Sequence, residues 1–239
     1  MFIEYGELST LFYETTKPVG TELDGDITAY KEHLGATTGK ILEAGVGTGR
    51  MLIPLLQAGF DVEGVDISSQ MLSQCRKNLK AHQLTAPLYE QDLTQLALPT
   101  KYEAIIMPTG SFCLLPRNQA LQILRAFKAQ LVEGGALIID SILPQDFTVG
   151  EVYQRTLPLA EQTGILFTST SLEMDWVKQQ TVALHRYEKL EQGTLVQTEL
   201  SRFVLAWYGI EEMTMLLQAV GFTSVAHSIN ETLVTFYAN

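Results

Sequence analysis

The densest chemistry in the chain lies in residues 40–50, Lys40 to Arg50, where an acid, Glu43, is followed by Gly45, Gly47 and Gly49 at spacing two. Ile41 and Leu42 read as the end of a buried strand, and the residues after the glycines read as the start of a helix. Glycine has no Cβ, so it takes positive φ and lets a ligand approach the backbone. A helix starting there opens free N–H groups onto the turn, which favours a polar or anionic ligand. Strand, glycine turn and helix in that order is how doubly wound sheets build a nucleotide site. Spacing narrows the ligand. The third glycine of a dinucleotide fingerprint falls at position 50, which is Arg50, and no Lys-Ser or Lys-Thr follows to make a phosphate loop. An acid two residues before the first glycine repels a pyrophosphate and suits a cationic amine. The bland alternative is an ordinary tight turn.

The elements around this turn follow from periodicity. Residues 2–16 and 22–34 read as helices, with Pro18 and Gly20 between them. A helix over 48–58 contains Pro54, which costs a backbone hydrogen bond and predicts a bend. Strand 60–66 ends in Asp66, about 20 residues after the turn, where an acid accepts hydrogen bonds from ribose hydroxyls. Ser68 or Ser69 then caps a helix to about Ala81, with Met71 in its first turn. Strand 87–91 leads to Asp92-Leu93. Strand 103–107 runs into Pro108-Thr109-Gly110-Ser111. Helix 117–131 and a Gly134-Gly135 turn lead into strand 136–140. The alternation predicts an α/β fold with a doubly wound, mostly parallel sheet and ligands at the C-terminal strand ends. Residues 165–177, 181–191 and 194–207 break that pattern as an antiparallel meander, before a last helix to about Ala219 and two closing strands.

Composition excludes several classes. The chain has 239 residues, 16 Lys and Arg against 27 Asp and Glu, and a formal charge of −11, which opposes binding to nucleic acid or an anionic membrane. No apolar run approaches the roughly 18–20 residues of a membrane span, and the start of the chain does not read as a signal peptide. Two cysteines, Cys75 and Cys113, fit a reducing cytoplasm, and with four scattered histidines they give no metal-ligand spacing.

Taken together, Ile41–Arg50, Val62–Ser68 with Met71-Leu72, Gln91-Asp92-Leu93 and Leu131–Asp140 resemble the class I S-adenosylmethionine-dependent methyltransferases. The resemblance is to the small-molecule type with an antiparallel insert before the last helix, and covers nearly the whole chain. It implies a Rossmann-like seven-stranded sheet built from 40–149 and 208–239, an N-terminal helical lid over 1–39, and a β insert over 150–207. It also implies that Glu43, Gly45, Gly47 and Gly49 hold the methionine part of the cofactor. Asp66 would hold the ribose, Ile67 and Met71 would lie beside the adenine, and Asp92 with Leu93 would take the adenine amine. Pro108 and Thr109 would flank the sulfonium. Tyr13 resembles the tyrosine of the family's lid helix, although Glu14 stands where Asp is usual. Met107-Pro108-Thr109-Gly110 departs from the motif of the DNA amino-methylating branch, and the strand-four loop lacks the acids of metal-dependent members.

Methyl transfer mainly requires alignment of the acceptor and exclusion of water, so no motif need mark a catalytic residue. The candidates for acceptor contact or catalysis are Tyr13, Ser111, Trp176, His185, Tyr187, Arg202 and Tyr208. Alternation on the insert strand separates His185 and Tyr187 from Arg186 and Glu188, but leaves open which pair faces the site. Two functions remain: transfer of a methyl group to a small-molecule N, O or C nucleophile with release of S-adenosylhomocysteine, or cofactor binding without transfer as a sensor or partner module. A nicotinamide oxidoreductase is disfavoured by Arg50 and Glu43. The expected assembly is a monomer or a homodimer.

Overall fold

The structure, a computed structural model, describes residues 5–239. The first helix, α1, runs Glu7–Thr16, so positions 2–4 of the expected helix lie outside the described residues. The chain continues as α2 (Asp26–Leu34), β1 (Lys40–Ala44), α3 (Leu52–Gln57), β2 (Asp61–Asp66), α4 (Ser69–Ala81), β3 (Leu88–Glu90), β4 (Tyr102–Met107), α5 (Ala120–Gln130) and β5 (Leu131–Ile142). Strands β6 (Val152–Ala160), β7 (Thr163–Asp175), β8 (Gln180–Glu191) and β9 (Thr194–Ala206) follow, then α6 (Ile210–Ala219), β10 (Val225–Asn230) and β11 (Leu233–Ala238).

Seven strands form one sheet in the order β10-β11-β5-β4-β1-β2-β3, in which β11 runs antiparallel to both neighbours. Alternate residues point to opposite faces, and both faces are buried. Leu42, Ile105 and Leu137 pack under α5 and α6, while Ile41, Ala104 and Ile138 pack under α2, α3 and α4. Burial on both sides explains why these strands are nearly continuous apolar runs. Strands β6-β7-β8-β9 form a separate antiparallel sheet joined to the core through α1, with Leu8 packed among Leu157, Ile165, Phe167 and Tyr187.

Three elements differ from expectation. The insert has a fourth strand, β6, which is exposed along most of its length. An edge strand bare on both faces shows no alternation, and it tolerates Pro158 because its outer N–H groups need no partner. Helix α3 spans six residues rather than 48–58. The Arg50 carbonyl that a continuous helix would have bonded to position 54 instead accepts Gly20 N–H at 3.1 Å, so Pro54 leaves nothing unsatisfied. The Gly134-Gly135 turn is an excursion inside β5, whose register with β4 jumps from Tyr102↔Leu131 to Ala104↔Ala136.

Candidate cofactor and acceptor site

The turn after β1 is built by glycine geometry. Gly45, Gly47 and Gly49 have φ of 73°, 54° and 84°, a region that penalises any Cβ. A Cβ on Gly49 would lie 2.9 Å from Cys75 Sγ, whereas one on Gly47 would meet nothing nearer than 4.0 Å. Gly49 is thus required for helix packing, and Gly47 leaves an open approach. The turn spends its donors at home: Gly45 and Val46 N–H go to the Val65 carbonyl, and Gly47 N–H goes to Asp66 Oδ2 at 2.9 Å. Helix α3 begins only at Leu52, so the expected helix N-terminus does not abut the turn. The turn therefore offers acids more than free N–H groups.

Glu43, at the end of β1, is 3% exposed, and its Oε2 has no hydrogen-bond partner among the described residues. Burial pushes its carboxyl up to about 8 against the pull of Arg50, with the Asp66 and Asp26 charges adding to the rise. Asp66 takes Gly47 N–H on one oxygen and Ser68 N–H, at 2.8 Å, on the other; burial raises it despite these bonds. Ser68 caps α4, accepting Met71 N–H at 3.2 Å. Ile67 stands 66% exposed next to Asp66, and Met71 is buried. Gln91 N–H bonds the Asp66 carbonyl at 3.1 Å, which brings the exposed Asp92 to the same edge; Asp92 takes Thr94 N–H at 2.8 Å while Leu93 turns into the core.

Arg50 is the centre of a buried polar network. Its guanidinium donates to Asp26, at 2.5 and 3.1 Å, to the Thr21 carbonyl at 2.7 Å, and to Thr109 Oγ1 at 2.7 Å. Thr109 has φ of 62°, a strained value for a β-branched residue, and its N–H is fixed by Asp140 Oδ2 at 2.6 Å. Asp140 also accepts from Thr235 at 2.7 Å; burial is the main cause of its raised pKa. The strand-four loop is thus held from beneath by β5, β11 and α2. Pro108 is buried in that loop, and its carbonyl accepts Ser111 Oγ–H at 3.0 Å. A Cβ on Gly45 would meet Ser111 at 3.5 Å, so Ser111 lies against the glycine turn. Tyr13 reaches the same place from α1. Burial raises its hydroxyl even though Arg50 lies beside it, with Glu43 next in line.

The remaining candidates are dispersed. Phe12 of α1 packs on Tyr187 with ring centroids 5.6 Å apart, so Tyr187, and His185 two residues before it, lie on the face of β8 that looks toward the core. His185 stacks on Phe203 at 4.4 Å, and burial lowers it to about 4. Arg202 pairs across from Leu184 on the opposite, exposed face, so the structure does not bring it to the site. Trp176, a candidate for acceptor contact, is 70% exposed at the β7–β8 hairpin tip, edge-on to Trp207. Tyr208 is a core residue packed on Phe112, with the Arg117 guanidinium 4.7 Å from its ring centre; burial pushes its hydroxyl up to about 12. A cavity of about 230 Å³ opens beyond β5, lined by Ile142, Leu143, Phe147, Leu205, Trp207 and Thr232 among others. It adjoins the strand-four loop, since a Cβ on Gly110 would strike the Ile142 side chain. Among the described residues no group of three or more His, Cys, Asp or Glu is placed to hold a metal.

Residues 41–135, which carry the glycine turn and both acids, match the family described as "Methyltransferase domain". That match supports a class I S-adenosylmethionine-dependent methyltransferase domain over this part of the chain. The chain is 24% identical over 194 residues to an uncharacterized methyltransferase of Bacillus cytotoxicus, spanning 77% of this chain and 88% of that protein. It spans about half the length of other curated relatives, 52% of one from Geobacillus sp. (strain WCH70) and 46% of one from Bacillus subtilis, at 26% and 27% identity over 58% and 48% of this chain. Its fold is that of DesVI of Streptomyces venezuelae, with a TM-score of 0.78 and 19% identity over 100% of this chain and 99% of that one. It is also that of the sugar N-methyltransferase KedS8 from Streptoalloteichus sp., with a TM-score of 0.78 and 21% identity over 98% and 93%.

The cofactor of this family is S-adenosylmethionine, and the residues present fit it. An orphaned buried carboxylate oxygen on Glu43 suits a cation, Asp66 retains acceptor capacity for hydroxyls, and an exposed Ile67 suits a flat ring. Sequence reasoning missed the supporting shell. Asp26 carries no local motif, Asp140 entered only as the end of a matching strand, and Arg50 only as a departure from the dinucleotide pattern.

Proposed function

We propose that the protein transfers a methyl group from S-adenosylmethionine to a small-molecule acceptor in the cytoplasm, leaving S-adenosylhomocysteine. The observation that carries this reading is the Glu43 carboxyl group, buried with an unpartnered oxygen beside a turn that Gly47 leaves open to a ligand. When bound, the cofactor supplies a methyl group already activated on a sulfonium. In this reading residues 40–149 and 208–239 bind it, 1–39 cover it, and 150–207 face the acceptor. Glu43 would hold the amine end, Asp66 the ribose, and Ile67, Met71, Asp92 and Leu93 the adenine. Pro108 and Thr109, locked by Arg50 and Asp140, would fix the reacting end. Alignment of this kind supplies up to about 7–11 kcal/mol.

For the acceptor we put a small-molecule amine first. His185, on the core-facing side of the insert, has its pKa lowered to about 4 and is a poor proton acceptor at neutral pH. A neutral amine needs no base before transfer, whereas a phenol or alcohol usually does. The apolar cavity beside Gly110 suits an apolar part of such an acceptor. The chemistry named for KedS8, sugar N-methylation, supports the same class. The charge of −11 argues against nucleic acid as substrate. No helix among the described residues is long and apolar enough to cross a membrane.

Calorimetric titration with S-adenosylmethionine, S-adenosylhomocysteine and NADH tests the cofactor. Binding of the first two and not the third is expected, and binding of NADH alone overturns the reading. A panel of amines, carboxylates and phenols then tests the acceptor, with product formation expected on amines.

A further inference from the structure

Helix α1 has no cap of its own, because its N-cap position is Gly6. The cap comes from the insert. The Glu199 carboxylate of β9 accepts Leu8 N–H at 2.9 Å, Ser9 N–H at 3.3 Å and the Ser9 hydroxyl. The fit is close, since a Cβ on Gly6 would lie 2.8 Å from Glu199 Oε2. A carboxylate there satisfies otherwise orphaned N–H groups and suits the positive end of the helix dipole. Phe12 extends the contact to the insert, 4.7 Å from Phe167 between ring centres.

The opposite side of α1 meets the glycine turn. Tyr13 lies beside Arg50 and Glu43. Glu14 Oε1 accepts from the Asn78 side-chain amide at 3.0 Å, and the same amide donates to the Thr48 carbonyl within the turn at 2.9 Å. Just ahead of α1, the Tyr5 carbonyl accepts from Ser68 Oγ at 2.9 Å, two residues from Asp66. One short helix therefore spans from the insert sheet to both halves of the cofactor site.

We infer that Glu199 is a positioning residue for the cofactor. It anchors α1, and with it Tyr13 and Glu14, over the glycine turn, so that the insert sheet helps to set how tightly the cofactor is held. The inference rests on the reading of the turn as the cofactor site. A purely structural Glu199 would change overall stability and leave affinity alone.

The test uses the full chain as wild type, Glu199→Ala and Glu199→Gln. Amide hydrogen exchange is read over 7–16 and over β1 and β4, and S-adenosylhomocysteine is titrated by calorimetry. In Glu199→Ala, amides of α1 should exchange about 10-fold faster while those of β1 and β4 keep their rates. The Kd for S-adenosylhomocysteine should rise about 10-fold, the scale of one lost charge-assisted hydrogen-bond partner. Glu199→Gln keeps an acceptor oxygen and should recover most of both. An unchanged Kd with a loosened α1 overturns the inference. So does a loss of affinity that tracks faster exchange in β1 and β4 and is not rescued by glutamine. If the wild type binds no S-adenosylhomocysteine, the cofactor reading fails and this inference with it; that case is told apart because α1 still loosens in Glu199→Ala.

Discussion

The ion pairs of the glycine-turn half and of the insert sheet are made differently. Arg50 pairs with Asp26 across 24 residues with both side chains about 5% exposed or less, and the network runs on through Thr109 and Asp140 to Thr235. On the insert, Asp175–Lys178, Arg186–Glu188 and Lys189–Glu191 pair two or three residues apart at the surface. Buried, fully connected networks hold one geometry and punish the loss of any member, whereas exposed local pairs contribute about 0–1 kcal/mol. The half that in the proposed reading would hold the cofactor is thus cross-braced, and the half that would meet the acceptor is left free to vary.

The comparison is broken most severely at Arg50. Arg50→Ala strands Asp26 in the interior and releases Thr109, and should cost about 3–5 kcal/mol in chemical denaturation; a loss under 1 kcal/mol would mean the network is not a brace. Glu43 sharpens it through pH. Its folded pKa of about 8 lies above the unfolded carboxylate value of 4.5, so the folded state holds the proton more tightly. Its contribution is fully present below the unfolded value and is lost as pH rises through 4.5 to 8, at up to about 1.4 kcal/mol per pH unit. Glu43→Gln should remove that slope and gain on the wild type toward pH 8; parallel stability curves for the two proteins would refute it. Asp66→Ala should weaken S-adenosylmethionine binding by about 1–3 kcal/mol, as for a lost hydrogen-bond partner of a charged group, and unchanged calorimetric affinity would remove Asp66 from the ribose site. On the insert, Arg202→Ala should shift stability by less than about 0.5 kcal/mol and leave methyl transfer intact. A lost activity there would put the outer face of β9 back in the site.

The same contrast governs what could be read from residues in a row. Glycines at 45, 47 and 49 and an acid at 66 are local statements, because positive φ and a strand-end carboxylate need only their own neighbours. The α/β alternation was legible for a similar reason, since buried parallel strands are apolar runs. Strand β6 was not, because an edge strand exposed on both faces has no period to detect. Alternation divided His185 from Arg186, yet only the docking of α1 on Tyr187 decides which faces inward. Nor does any spacing announce that Arg50 will find Asp26 or that Glu199 will cap a helix beginning at Glu7. Such pairings belong to the tertiary packing.

The bond from Glu199 to Leu8 joins residues 191 apart in the chain. During synthesis α1 is made before its anchor, which follows roughly 10–40 s later at about 5–20 residues per second. The core sheet can assemble β1 to β5 in that interval, while α1 waits with its apolar Leu8 and Phe12 side uncovered. The Glu199 cap on α1 therefore cannot form until β9 has been made, and until then a chaperone has a reason to hold α1.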